Sequence, residues 1–147
     1  MLLRYRFRVY PTASQRKSLA RVFGCVRTVY NDAVAARRSA HAEGKPLPTT
    51  AELDKRLITA AKRTPERAWL AEVSSVPLQQ ALRDCHSAYR NFFASLSGNR
   101  RGSRVGPPRF KRRSHAQTAR FTRNGTGETR LGPLNQEPTC TQAHSCL

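Results

Sequence analysis

Eighteen net positive charges on a chain of 147 residues constrain everything else about it. Lys and Arg number 27 against 9 Asp and Glu. At that imbalance self-repulsion opposes compaction unless counterions or a polyanion offset it. Nucleic acid is the natural polyanion, because neutralising its phosphates releases condensed counterions. An anionic membrane surface and plain solubility are the competing readings of the charge alone. Its distribution favours the first. Seven basic residues and no acid fall between Met1 and Asn31, and ten basic residues and no acid fall between Asp84 and Glu128. Two acid-free zones therefore flank a balanced middle.

Length allows one ordinary domain. No run approaches the roughly 18 apolar residues of a membrane span. Arg4, Arg6 and Arg8 stand where a signal peptide would carry its apolar core. A cytoplasmic protein, associated with the nucleoid and with no membrane partner, is expected. Cys25 and Cys85 fall within helical apolar patterns and read as reduced core thiols. Cys140, His144 and Cys146 lack a partner motif, so no metal site and no cofactor is expected.

The opening MLLRYRFRVY alternates, with Leu3, Tyr5, Phe7 and Val9 on one side and three arginines on the other. Period two predicts a half-buried strand with a cationic face. Thr12 and Gln15 fit a capping box, and Leu19, Val22, Phe23, Val26, Val29, Tyr30, Ala33 and Val34 recur at helical spacing. A helix from about Ala13 to about Ala42 is predicted, stopped at Gly44, with Arg16, Lys17, Arg27, Arg37 and Arg38 largely off its apolar stripe. Thr49 and Glu52 predict a second capped helix through Leu53, Leu57, Ile58 and Ala61. Thr64 and Pro65 predict the start of a short helix around Trp69 and Leu70. Ser75 and Pro77 introduce a last helix through Leu78, Ala81, Leu82, Cys85, Tyr89, Phe92, Phe93 and Leu96, ended by Gly98. Beyond it, GNRRGSRVGPPRFKRRSHAQTARFTRNG reads as an extended basic loop, with a strand over Thr118 to Arg123 that pairs with the first. From Thr126 the chain is too poor in large apolar residues to offset ordering entropy and reads as disordered.

Catalytic constellations are absent from the pattern. Asp84 and His86 are two apart, a separation a helix points in different directions; a surface acid and a partly buried histidine are expected. Glu52 and Asp54 resemble charges favoured in a first helical turn. The Gly98 to Gly106 segment lacks the spacing of a phosphate-cradling loop. No catalytic residue is assigned. Binding residues are better represented. Arg4, Arg6 and Arg8 at period two lie roughly 6.6 Å apart, near phosphate spacing. PPRFKRR sets Arg109, Lys111, Arg112 and Arg113 around Phe110, a combination of neutralising cations and a stacking ring. With Arg27, Arg100, Arg101, Arg104, Arg120 and Arg123 these residues form the candidate contact set. A solvated basic linker is the plain alternative. Tyr30, Tyr89, Phe92 and Phe93 read as core.

The stretch YRFRVYPTASQRKSLARVFGCVRTVYNDAVAARR resembles the start of the TnpB (OrfB) proteins of bacterial insertion sequences. The matching residues are Tyr10, Pro11, Thr12, Gln15, Phe23, Gly24, Cys25, Arg27, Tyr30 and Asn31. YRNFF (Tyr89 to Phe93) and PPRFKRR with ARFTRNG follow in the family's order, so the resemblance covers residues 1 to about 125. It implies a transposon protein with a helix-turn-helix-like N-terminal region, of a family whose characterised members are RNA-guided DNA endonucleases. Such a region would contact guide RNA and RNA–DNA duplex through backbone and shape.

The implied architecture is α+β and mainly helical: a basic strand at 1–10, a helical recognition-like insert at 11–98 with three main helices and a short one, and a basic loop and strand at 99–125 returning to an incomplete wedge-type β-barrel. Residues 126–147 would be a disordered, out-of-frame tail. The family's catalytic domain, RNase-H-like with three metal-binding acids, has no counterpart here, so a binding fragment without nuclease activity is expected. A stand-alone basic RNA-binding module and a helix-turn-helix DNA-binding regulator are the alternatives.

Overall fold

The computed structural model describes residues 8–122. Helix α1 runs Ala13–Ala42, opened by the capping box: Gln15 N–H donates to Thr12 Oγ1 at 3.4 Å and Thr12 N–H to Gln15 Oε1 at 2.9 Å. It ends where Gly44 turns to φ 65°, a left-handed conformation that favours glycine. Thirty residues make α1 roughly 45 Å long, against 22 residues for α3, Ser75–Leu96. The longer helix outruns its partner. Its buried stripe begins only at Cys25 and continues through Val26, Val29, Tyr30, Ala33 and Val34, while Leu19 is exposed.

The segment between them is shorter and less regular than its pattern predicts. Thr49 caps α2, Thr50–Asp54, in a second reciprocal box with Glu52. Hydrogen bonding from the Thr49 backbone N–H holds the Glu52 carboxyl below the usual glutamate range. The chain then widens into a π turn over Lys55–Ala60 and tightens into a 3-10 turn at Ala61–Arg63. Leu53 and Ile58 are five apart and both fully buried. An α-helix would rotate one of them off the stripe; the widened turn brings both to the core.

Thr64 closes this element instead of opening the next. Its Oγ1 and N–H both donate to Ala61 O. The short helix predicted from Thr64 and Pro65 is a 3-10 turn at Ala68–Glu72, which buries Leu70 and leaves Trp69 39% exposed. Ser74, one residue before the predicted Ser75, caps α3.

Pro77, Leu78, Ala81, Leu82 and Cys85 of α3 pack against α1, with Leu53, Ile58, Leu70 and Val73 filling the ends. Each fully buried leucine contributes about 1.5–3 kcal/mol relative to exposure. Beyond Cys85 the α3 stripe climbs out of the core: Tyr89 and Phe92 are half-buried, Phe93 and Leu96 exposed. Both core cysteines are free thiols. His86 is exposed, not partly buried. Arg37 lies inside the core at 3% exposure, beneath the Tyr89 ring (5.2 Å) and donating to Cys85 Sγ at 3.6 Å. A long side chain with an apolar stem can be drawn onto the stripe in this way.

The α+β expectation is overturned. Among the described residues the architecture is helical, with no strand and no sheet, and the wedge-type barrel has no support. Arg8 to Tyr10 form no ladder, and residues 1–7, which carry most of the predicted first strand, lie outside the described residues. Residues 118–122 are fastened to α3 by side chains: Arg120 pairs with Asp84 and donates to Gln80, and Ala119 packs on the core. Alternation gives one face to bury, but only backbone pairing makes a strand. The predicted tail at 126–147, with Cys140, His144 and Cys146, also lies outside the described residues. Among those described, no helix is long and apolar enough to cross a membrane and no acid–histidine–cysteine cluster could hold a metal.

Candidate nucleic-acid interface

From Gly98, where φ reaches 74°, the chain returns over the α1–α3 pair as an extended arm. An extended segment without a ladder must satisfy its backbone polar groups some other way. Here side chains do it. Asn31 grips Lys111 from both sides, its Nδ2 donating to Lys111 O at 3.0 Å and its Oδ1 accepting from Lys111 N–H at 2.8 Å. Arg38 donates to Pro108 O at 2.8 Å, and Pro108 is buried. Ser95 Oγ accepts from Val105 N–H at 2.9 Å. Gln117 Nε2 donates to the carbonyls of Arg112 and His115, and its Oε1 accepts from Arg27 Nη1 at 3.2 Å.

Two cation–ring contacts reinforce the clasp. Lys111 Nζ sits 4.2 Å from the Tyr30 ring centroid, and the Arg38 guanidinium 4.7 Å from that of Phe110. Each contributes about 0.5–1 kcal/mol at a partly exposed site. Asn31 and Tyr30 therefore work as a dock for the PPRFKRR segment, 80 residues further along.

The dock sorts the candidate contact residues. Arg101, Arg104, Arg109, Arg112 and Arg113 are exposed, and none has a carboxylate within 4.0 Å among the described residues. Arg100 is exposed and donates to Ser103 O in its own loop. Lys111, Arg27 and Phe110 are engaged by Tyr30, Gln117 and Arg38. Arg120 is paired with Asp84 and is the one arm arginine with an acidic partner among the described residues. Arg8 is exposed and apart from the arm's contacts; Arg4, Arg6 and Arg123 lie outside the described residues.

Apart from Asp84, which holds Arg120 of the arm, the acids with partners are engaged within the scaffold. Asp32 holds Arg67 at 3.0 Å, Glu72 holds Arg21 at 3.4 Å and Asp54 accepts from Gln79. Burial pushes the Asp32 carboxyl up, with Arg67 opposing. Burial also raises the Cys85 thiol, partly offset by Arg37. The surface left to the arm is cationic.

Sequence reasoning missed Asn31, Tyr30 and Arg38 as the arm's dock. The signal was present: Tyr30 and Asn31 both stand in the motif that carries the resemblance, and an exposed-face asparagine within a helix needs a partner to justify its low propensity.

The first helix, with the residues that lead into it, is matched by a family model. Described as a helix-turn-helix domain of the OrfB proteins of IS605-type elements, it covers residues 1–46. Over this span the chain has the N-terminal helix-turn-helix region of the TnpB/OrfB family of insertion-sequence proteins. Within the matched span the described residues hold one helix, α1, and the next begins at Thr50.

A protein of Streptomyces pristinaespiralis named as an RNA-guided DNA endonuclease is 41% identical over 121 residues, 82% of this chain and 28% of its own length. InsQ of Escherichia coli K12, named likewise, is 31% identical over 117 residues, 80% of this chain and 27% of its own. The virulence protein VsdF of Salmonella dublin is 32% identical over 91 residues, 58% of this chain and 76% of its own. The chain thus spans under a third of the length of its endonuclease relatives, at their N-terminal part.

Proposed function

We propose that this chain is the nucleic-acid-binding N-terminal part of a TnpB-like RNA-guided DNA endonuclease, and that it grips and does not cut. The binding surface is the arm, with Arg101, Arg104, Arg109, Arg112 and Arg113 neutralising phosphates of a guide-type RNA or of the DNA it pairs with. Lys111 and Phe110 hold the arm in register; Arg27 anchors its far end through Gln117. One observation carries this reading: five exposed guanidinium groups, without acidic partners among the described residues, stand on a backbone pinned to α1 by Asn31. Unpaired surface charge is costly to the fold through self-repulsion, and a polyanion relieves it. The activity for which the relatives are named supports the same direction. The place of action is the nucleoid.

Binding of labelled duplex DNA and of structured RNA, titrated between 50 and 200 mM salt, tests the proposal. Five phosphate contacts give a log–log slope of about −4 to −5 on B-form DNA, a loss of roughly several hundred-fold over that range. A flat response would overturn it.

A further inference from the structure

Beside the arm, an open cavity of about 480 Å³ separates the first half of α1 from the 3-10 turn Ala68–Glu72. Arg21, Gly24, Arg27 and Thr28 line it from α1, and Trp69 and Glu72 from the turn. Its volume falls within the range of small-ligand sites. Gly24 sits in the interior of a long helix, where alanine would be more stable. A Cβ built there meets nothing within 4 Å, so packing among the described residues does not require glycine. What glycine provides is bare helix backbone on the cavity wall.

Trp69 is held in place from two sides. Its Nε1 donates to Glu66 O at 2.9 Å, and Arg67, itself fixed by Asp32 at 3.0 Å, lies 5.7 Å from the ring centroid. Yet the ring is 39% exposed. The cavity also adjoins the arm: Arg27 lines it and donates to Gln117, which in turn holds the Arg112 carbonyl.

We propose that this cavity receives one unpaired nucleobase of the bound nucleic acid, its ring against Trp69 and the bare backbone of Gly24, its phosphate on Arg27. The proposal rests on the nucleic-acid reading above and adds a subsite to it. Base–aromatic stacking is indifferent to sequence because every base has a π face. Glu72 on the same wall is paired with Arg21 at 3.4 Å, and its second carboxylate oxygen can accept from an exocyclic amine, as carboxylates do from cytosine. A strand whose phosphates run along the arm would meet the cavity at Arg27, which lines it and donates to Gln117 of the arm.

Trp69 is the sole tryptophan of the chain, so its fluorescence reports on this cavity alone. The full chain is titrated with a deoxycytidine 12-mer and, separately, a cytidine 12-mer; the two arms distinguish DNA from RNA as the source of the base. Quenching of Trp69 that saturates with binding is expected in at least one arm. Gly24→Leu puts a side chain on the cavity wall through a Cβ that meets nothing within 4 Å. It is expected to keep or raise Tm, by helix propensity, while weakening single-strand binding roughly five- to hundred-fold, the range of one lost stack. Gly24→Ala should raise Tm with a smaller loss of binding.

Tight, salt-sensitive binding with an unquenched Trp69 and an unaffected Gly24→Leu variant would overturn the subsite and leave the arm standing. That is also the outcome if a protein segment fills the cavity instead. Absence of binding by either oligonucleotide or by duplex would overturn the arm and the subsite together.

Discussion

Changing Arg109, Arg112 and Arg113 together to glutamine is expected to lower affinity for duplex DNA about a hundred-fold at moderate salt, with helicity unchanged. At about 1 kcal/mol for each exposed charge contact, three contacts multiply to that factor. The salt slope should fall by roughly 2–3, one phosphate per arginine. None of the three makes an ion pair within the described residues, and all are exposed, so the fold loses nothing it depends on. Arg120→Gln makes the contrast. Its guanidinium is already committed to Asp84 and Gln80; the slope should barely move, and the arm's far end should loosen. Titration of the two variants side by side checks both statements. Equal slopes for wild type and the triple variant would mean that phosphates lie elsewhere.

The second large effect comes from the dock. Asn31→Ala removes two partly buried hydrogen bonds to the Lys111 backbone. At about 1 kcal/mol each the arm loses about 2 kcal/mol of docking, which raises its undocked fraction roughly thirty-fold. Limited trypsin digestion reads this directly, since cleavage of a transiently opened segment follows its open population. Cleavage at Lys111, Arg112 and Arg113 should accelerate by that order while the α1–α3 core stays resistant. The core does not use Asn31: Leu78, Leu82, Val29 and Val34 bury one another without it. Asn31→Asp would keep one acceptor, so it should fall between wild type and alanine. Unchanged cleavage in the alanine variant would show that the arm is held by something other than the Asn31 clasp.

Local chemistry was legible in the sequence. Both capping boxes depend on residues three apart, and Thr12 with Gln15 and Thr49 with Glu52 form as their spacing requires. The limits of α1 follow from the same kind of signal, a cap at one end and Gly44 at the other. What periodicity could not show is where a stripe finds its partner. Leu19 and Phe93 carry the right spacing and stay exposed, because each lies beyond the buried stripe of its helix. Arg37 has the wrong polarity for a stripe and is buried all the same, its stem on the core and its charge against Tyr89 and Cys85. Leu53 and Ile58 required a π turn, a choice made by the core and not by propensity.

The site divides along the same line. Basic residues of the arm announced themselves by composition, and their exposure follows from charge. Which of them remain available did not. Lys111 and Arg120 look the same in sequence as Arg112 and Arg113, yet tertiary contacts 36 and 80 residues away in the chain engage the first two. The strand expected over Thr118 to Arg123 failed for a related reason. Thr118, Phe121 and Thr122 are residue types that favour strands, but Arg120 reaches an acid on α3, and over 118–122 that contact, not a ladder, sets the path.

Arginine footprinting tests the central claim most directly. Phenylglyoxal modification of the free chain and of its complex with structured RNA or duplex DNA, read by peptide mass spectrometry, compares every arginine at once. Arg101, Arg104, Arg109, Arg112 and Arg113 should be protected in the complex, while Arg67 and Arg120, already paired, should react slowly in both states. Arm arginines that react at the same rate with and without saturating nucleic acid would contradict the account.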